Sequence, residues 1–165
     1  MPAIGLWYPV YDRRLAWVGV SLETDTSIFV PQDFFDQMSS EALAVDGVDS
    51  KLFFVGADVL GACKRPLKLP FSPSRLVAVL SENFLSAEAS MAVFRAWHGK
   101  NVRLAVTGLA VPAGLSRDMV AMHVFDAATV RDSPSEKALL DAGHSGAKLF
   151  VQGIGSMELF EWCAE

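Results

Sequence analysis

The chain lacks the sequence features that identify disulfide-rich, zinc-binding, nucleic-acid-binding, membrane-spanning or secreted proteins. Its two cysteines, Cys63 and Cys163, lie far apart and outside any CxxC pair, which disfavours a disulfide framework or a zinc site and indicates two reduced thiols. It has no run of lysine or arginine and a net charge of −5, which argues against nucleic acid and against an anionic membrane surface as partners. No apolar run approaches the roughly 20 residues that cross a bilayer, and the first residues lack a secretory signal. We therefore expect a cytoplasmic protein.

The sequence is instead rich in short apolar runs. Hydrophobic residues make up 52% of the 165 residues, enough for one domain with a sizeable core, and no repeat or polar linker divides the chain. Six runs are nearly continuous in Val, Leu, Phe and Ala, as parallel strands covered on both faces are. They are Trp17–Leu22, Leu52–Val55, Leu76–Leu80, Val102–Val106, Met119–Phe125 and Lys148–Val151.

The segments between these runs carry helix signals. The clearest is a helix over Ala87–His98, in which Val93, Phe94 and Trp97 share one face at helical spacing. Three further helices are expected: one from Pro31 to Met38, one that follows the capping box Ser133–Glu136 and closes at Gly143, and one that Ser156 opens, with Leu159, Phe160 and Cys163 facing inward.

Alternating strands and helices predict an α/β fold with a parallel sheet and outer helices, joined by right-handed crossovers. A closed (β/α)8 barrel needs eight strands, and six are predicted here. The pattern therefore indicates a truncated barrel, an open sheet, or a fragment that lacks its final units.

Six sequence segments carry a more specific signal. In chain order they are YPVYD at Tyr8–Asp12, LAWVGVSL at Leu15–Leu22, LVAVLSE at Leu76–Glu82, RLAVTGL at Arg103–Leu109, MHVFD at Met122–Asp126 and VQGIGSMELFEW at Val151–Trp162. Together they resemble, in the same order, the motifs of the bacterial EAL domain, which hydrolyses cyclic di-GMP: QPIxD, LxxxGxEAL, LVLEITE, RLALDDF, IKID and AEGVETEEQLEWL. The start resembles in particular the shortened EAL domains that precede an HDOD domain.

The resemblance implies a truncated or incomplete EAL-like TIM barrel made of parallel strand–helix units. It further implies that residues 1–165 are a single degenerate EAL-like domain, the N-terminal part of a longer signalling protein.

The same resemblance implies that the catalytic chemistry has been lost. EAL enzymes use two divalent metals held by carboxylates and an asparagine at the C-terminal ends of the strands, and such ions need hard oxygen ligands. The positions that match those donors carry Ser21, Gly56, Val79, Thr107, Gly108, Gln152 and Gly155, while the motif lysine is replaced by His123 or Val124 and the opening glutamine by Tyr8. Only Glu82 is kept, and a shift of one residue offers Glu23 and Asp126 without restoring a cluster. We expect no catalytic residue, no metal and no cofactor.

The former ligand positions could still line a pocket without metal. Its candidate residues are Ser21, Gly56, Glu82, Thr107, His123, Gln152, Gly153 and Gly155. The favoured function is a catalytically inactive signalling domain that acts as a protein-interaction or regulatory module, with another protein, its own downstream domain or a second copy as partner. The alternative is a metal-independent sensor of cyclic di-GMP or another nucleotide, since the turn Gly153–Ser156 before a helix could hold a phosphate.

A second alternative is an unrelated α/β enzyme. It would use His123 as a base with one of the cysteines as nucleophile, although no spacing known from such enzymes supports the pair. His98 and His144 fall at the ends of predicted helices, where a cation suits the helix dipole.

Overall fold

The computed structural model describes residues 5–24, 50–61, 69, 71–81, 88–111, 114–131, 133–144 and 146–164. In these residues seven strands form one sheet whose spatial order follows the chain. The strands are β1 (Gly5–Tyr11), β2 (Trp17–Thr24), β3 (Leu52–Gly56), β4 (Leu76–Leu80), β5 (Arg103–Thr107), β6 (Val120–Asp126) and β7 (Leu149–Gln152). The helices are α1 (Ala57–Gly61), α2 (Glu88–Gly99), α3 (Ala127–Val130), α4 (Ser135–His144) and α5 (Met157–Ala164).

The six predicted strands are all present, each within two residues of its predicted ends, and the sheet contains one strand more. The additional strand, β1, is absent from the sequence prediction and pairs antiparallel with β2, so the sheet is mostly parallel. Its sequence includes Pro9, which has no N–H to donate to a ladder and is tolerated at the edge of a sheet, where β1 lies. The turn between the two strands is closed by Asp12, whose Oδ1 accepts from the backbone N–H of Arg14 at 2.8 Å and of Ala16 at 2.9 Å.

The other five strand pairs are parallel, and the sheet curls. One face packs under the helices in a cluster that includes Phe53, Leu80 and Leu104. The opposite face, which we call the lumen face, carries Phe54, Val77, Ala105, Met122 and Val124, with Val10, Leu52, Val79 and Phe150 packed against them. The rings of Phe54 on β3 and Phe150 on β7 stack with their centroids 4.4 Å apart, although three strands lie between them.

A flat sheet would hold β3 and β7 about 19 Å apart, since neighbouring strands are separated by about 4.8 Å. The stacked rings therefore show that the sheet closes on itself as a barrel does. Within the described residues β7 does not pair with β1, and a complete barrel of this kind needs eight strands. The predicted class, an α/β fold with a truncated TIM barrel, is confirmed.

The helix predictions are mostly confirmed, with one correction. In α2 the side chain of Phe94 is fully buried and Trp97 is half-buried, but Val93 is 39% exposed and does not belong to the buried face. Met91 takes its place, because residues three apart on a helix share a face more closely than neighbours do. In α5 the predicted inward residues Leu159, Phe160 and Cys163 are only half-buried.

Two predictions fall partly or wholly outside the described residues. The helix over Pro31–Met38 lies outside them, as does Cys63, while Cys163 is a free thiol. The helices in the described part of the chain include none with the length and apolar character that spanning a membrane requires.

Candidate functional site

The predicted site residues lie along the C-terminal edge of the parallel strands. Gly56 is the last residue of β3, Thr107 of β5 and Gln152 of β7, and Ser21 lies in the C-terminal half of β2. Because parallel strands point the same way, these ends meet at one edge of the sheet, where ligands of α/β barrels bind. Glu82, the one glutamate that the motifs keep, lies outside the described residues.

Alternation along the strands decides which of these residues face the lumen. Successive side chains of a strand point to opposite faces. Gly56 follows the lumen residue Phe54 by two positions, Thr107 follows Ala105, and Gln152 follows Phe150, so all three share the lumen face. Ser21 joins them, because its neighbours Val20 and Leu22 belong to the helix-covered cluster.

His123 lies on the other face. Its neighbours Met122 and Val124 belong to the lumen cluster, so its ring points toward the helices. Its Nδ1 lies 2.8 Å from the carbonyl oxygen of Gly108, and a carbonyl can only accept, so Nδ1 carries the proton and donates. His123 therefore does not join the other predicted residues in one pocket.

The two alternatives for the lysine position of the IKID-like segment lie on different faces of the sheet. Val124 is on the lumen face and is 1% exposed, whereas His123 is on the opposite face. Asp126 follows Val124 by two residues and shares the lumen face.

The floor and walls of the site are made of apolar groups and satisfied hydroxyls. Phe54 and Phe150, stacked on each other, lie one layer below Gly56 and Gln152. Val79, at the position of the first LEITE glutamate, packs into the same lumen cluster. Thr107 donates its hydroxyl to the carbonyl oxygen of Leu80 at 3.2 Å, which ties the ends of β4 and β5 together.

Two carboxylates lie at this edge: Asp58, which the motif comparison did not assign to the site, and Asp126, which it offered only with a shift of one residue. A Cβ built on Gly56 would collide with Oδ1 of Asp58 in the first turn of α1, so the aspartate lies directly over the glycine. Asp126 caps α3, its Oδ1 accepting from the N–H of Ala128 at 3.0 Å and of Thr129 at 3.3 Å. In the sequence these residues stand only as an aspartate after a strand and an aspartate before a helix, and the second pattern signals an N-cap.

The glycine turn after β7 is shaped around Asp126. Gly153 has φ +73°, and a Cβ added there would lie 2.8 Å from Oδ2 of Asp126. Ser156 caps α5 by accepting from the N–H of Leu159 at 3.2 Å, and Glu158 in the first turn pairs with Arg131 at 2.7 Å. The turn thus has a carboxylate against it and one of its helix amides already bonded, which disfavours a bound phosphate there.

The remaining candidates, the thiol and the imidazole, show no catalytic arrangement in the described residues. No hydrogen bond joins His123 to Cys163, and burial raises the pKa of the Cys163 thiol above its usual 9.0, with a smaller opposing effect of Arg131. A raised pKa leaves less of the nucleophilic thiolate at neutral pH. His98 and His144 lie in the last turns of α2 and α4, as predicted.

No protein-family model and no curated protein sequence matches this chain. Solved structures do. The PaMucR phosphodiesterase in complex with c-di-GMP aligns with a TM-score of 0.58 at 15% identity over 98% of this chain and 89% of its own. The Bacillus subtilis YkuI protein, which has an EAL domain and was determined with c-di-GMP and calcium, aligns at 0.60 and 15% identity over 97% of this chain and 52% of its own.

Klebsiella pneumoniae BlrP1 in its calcium and cyclic di-GMP complex aligns at a TM-score of 0.63 and 13% identity, over 99% of this chain and 52% of that one. This chain thus spans about half the length of YkuI and BlrP1. At these identities the likeness shows the fold, and the fold is that of EAL domains.

The described residues of this edge do not fit the pair of divalent cations that EAL phosphodiesterases use. Gly56 has no side chain, Val79 offers none of the oxygen ligands that such ions require, and the hydroxyl of Thr107 is bonded to a backbone carbonyl. Asp126 directs one carboxylate oxygen to the amides of α3 and the other toward Gly153. Among the described residues no group of three or more His, Cys, Asp or Glu comes together as a metal site would require.

Proposed function

We propose that this chain is a regulatory domain of the EAL fold that does not hydrolyse cyclic di-GMP and acts by binding another protein. The observation that carries the proposal is the side-chain set on the lumen face at the C-terminal edge. Ser21, Gly56, Val79, Thr107 and Val124 stand where the family places metal ligands and its lysine, and none of them has a charge.

The physical argument concerns what a two-metal reaction needs. Paired cations generate hydroxide at neutral pH and stabilise the attacking and leaving oxygens, and several carboxylates must hold them. Among the described residues Asp58 and Asp126 supply two, and Asp126 already caps α3. The strands β3, β4 and β5 are paired in register and the core is well packed, so the scaffold itself is retained.

A retained scaffold with a lost catalytic edge favours interaction as the function. The partner is another protein or a further domain of the same polypeptide, such as an HDOD domain. We place the protein in bacterial signalling, where EAL domains act, and in the cytoplasm.

A metal-independent sensor of cyclic di-GMP is the competing proposal, and the known ligands of PaMucR, YkuI and BlrP1 motivate it. The electrostatics of the edge weigh against it. Cyclic di-GMP carries two phosphodiester charges, and the described residues at this edge include Asp58 and Asp126, while Arg131 is paired with Glu158.

The test is product analysis with the whole chain. The protein is incubated with cyclic di-GMP and excess Mn²⁺ or Mg²⁺, and the linear dinucleotide is quantified, with an active EAL phosphodiesterase as positive control. We expect no linear product above the protein-free sample. Product formation that a chelator abolishes would overturn the proposal, and calorimetric binding of cyclic di-GMP without metal would replace it with the sensor.

A further inference from the structure

Most of the lysines and arginines in the described residues lie at the N-terminal edge of the sheet, opposite the candidate site. Every strand of the parallel part is preceded or begun by a cation. The six, which we call the basic row, are Arg14 before β2, Lys51 before β3, Arg75 before β4, Arg103 at the start of β5, Arg117 before β6 and Lys148 before β7.

We propose that the basic row is the docking surface for an acidic segment of a protein partner. The inference rests on the proposed function in that it names the surface by which an interaction domain would act. The sequence alone shows no run of lysine or arginine, and only the sheet order brings these residues side by side.

Contacts show that the row is continuous at its β2 to β4 end. The ammonium of Lys51 donates to the carbonyl oxygen of Trp17 and lies 5.0 Å from the centre of the Trp17 ring. Nε of Arg75 donates to the carbonyl oxygen of Lys51 at 2.9 Å, and its guanidinium lies 5.1 Å from the ring of Phe53. Both charges are therefore held in place on the edge, which reduces the entropy lost on binding.

An open surface depression joins the row through β4, β5 and β6. It measures about 500 Å³ and is lined by Ser72, Ser74, His98, Lys100, Arg103 and Asp118, among others. The hydroxyls of Ser72 and Ser74 bond to each other at 2.9 Å, and Asp118 is acidic, so the donors open to a carboxylate are His98, Lys100 and Arg103. The depression is large enough to receive acidic side chains from a bound segment.

The exposed cations of the row have no ion-pair partner among the residues that the structure describes. Among the described residues Arg103, Arg117 and Lys148 form no ion pair, and all three side chains are exposed. Among the described residues, and with the flanking Arg13 and Lys100, the edge carries eight cations and the carboxylates Asp12 and Asp118, in a chain whose net charge is −5. The described part of the edge is thus positive on a protein that is negative overall.

The dimensions favour a peptide as the occupant. Neighbouring strands lie about 4.8 Å apart, so the six strand starts follow an arc of roughly 24 Å around the curled edge, the contour length of about seven residues of extended chain. A small anion would use only one or two of these cations. A nucleic-acid backbone carries a charge at every step and would meet Asp12 and Asp118, whereas a peptide can place neutral residues opposite them.

The probe is a fluorescein-labelled peptide in which glutamate alternates with serine, titrated with the whole chain by fluorescence anisotropy at low and high salt. The row variant is Arg103→Gln with Lys148→Gln. The matched control is Arg95→Gln with Lys137→Gln, which removes two charges from exposed positions on α2 and α4 together with the hydrogen bond from Arg95 to the carbonyl oxygen of Gly114. Thermal melting checks that both variants remain folded.

We expect salt-sensitive binding that weakens about tenfold in the row variant and less than about twofold in the control. Absence of salt-sensitive binding, or equal losses in both variants, would overturn the inference. Tighter binding of an oligothymidylate that the row variant abolishes would overturn it in favour of nucleic acid, and salt-sensitive self-association lost in the row variant would do so in favour of a second copy. None of these results bears on hydrolysis, so the proposed function stands or falls separately.

Discussion

The turn at Gly153 offers a quantitative test of how this edge is built. In Gly153→Ala the alanine would have to adopt φ +73°. Its Cβ would lie 2.8 Å from Oδ2 and 3.0 Å from Oδ1 of Asp126. The left-handed conformation costs an L residue roughly 1–2 kcal/mol. The close contact must push the carboxylate from its cap on α3, a capping interaction worth about 1 kcal/mol. We therefore expect a loss of about 2–3 kcal/mol in the free energy of unfolding.

A double-mutant cycle separates the two contributions. In an Asp126→Ala background the carboxylate is gone, so Gly153→Ala should cost only the roughly 1–2 kcal/mol of backbone strain. Urea unfolding followed by circular dichroism measures all four proteins. Gly155→Ala is the control, because its Cβ would meet nothing within 4 Å, and its effect should stay within about 0.5 kcal/mol. An equal cost of Gly153→Ala in both backgrounds would refute the reasoning.

Three further predictions follow from single side chains. Phe54→Ala should lose about 3–5 kcal/mol of unfolding free energy, because it empties the lumen beside Phe150, and a loss below about 1 kcal/mol would contradict the packing. The backbone N–H groups of Ala16 and Arg14 hold the pKa of Asp12 in the folded protein below its usual 3.8. The ionised Asp12 therefore contributes its full stabilisation of the fold at pH values above 3.8, and this contribution is lost as the pH falls through the lower pKa of the folded state. The melting temperature of the native protein should therefore exceed that of Asp12→Asn by a difference that narrows in acid. A difference that widens in acid would contradict this prediction. In Cys63→Ser the remaining thiol, Cys163, should react with a disulfide reagent more slowly at neutral pH than free cysteine, since burial raises its pKa, and an equal rate would contradict this.

Local patterning explains how much of the fold could be predicted. The continuous apolar run Leu76–Leu80 matches β4 residue for residue, because a strand buried on both faces leaves a clear signal. The strand β1 was missed because it lies at the edge and contains Pro9, so it lacks that signal. Val93 is exposed and not buried as predicted, because helical spacing alone does not determine how the helix is rotated about its axis against the sheet.

The candidate site was predictable in its positions but not in its contacts. Motif order indicated Gly56 and Thr107 as former ligand positions, and alternation from the lumen residues Phe54 and Ala105 puts both on the lumen face. The choice between His123 and Val124 could not be made, because a slip of one residue moves a side chain to the other face. The approach of Asp126 to Gly153 joins two strands and has no local signature. The position of Glu82, the HDOD context and the extent of the domain remain predictions.

The most direct test of the account is a Mn²⁺ titration of the whole chain followed by electron paramagnetic resonance, because the central claim is that this edge cannot hold two divalent cations. We expect the signal of free hydrated Mn²⁺ to grow in proportion to the metal added, with or without cyclic di-GMP. Loss of that signal for the first two equivalents, with the appearance of a spin-coupled pair, would contradict the account.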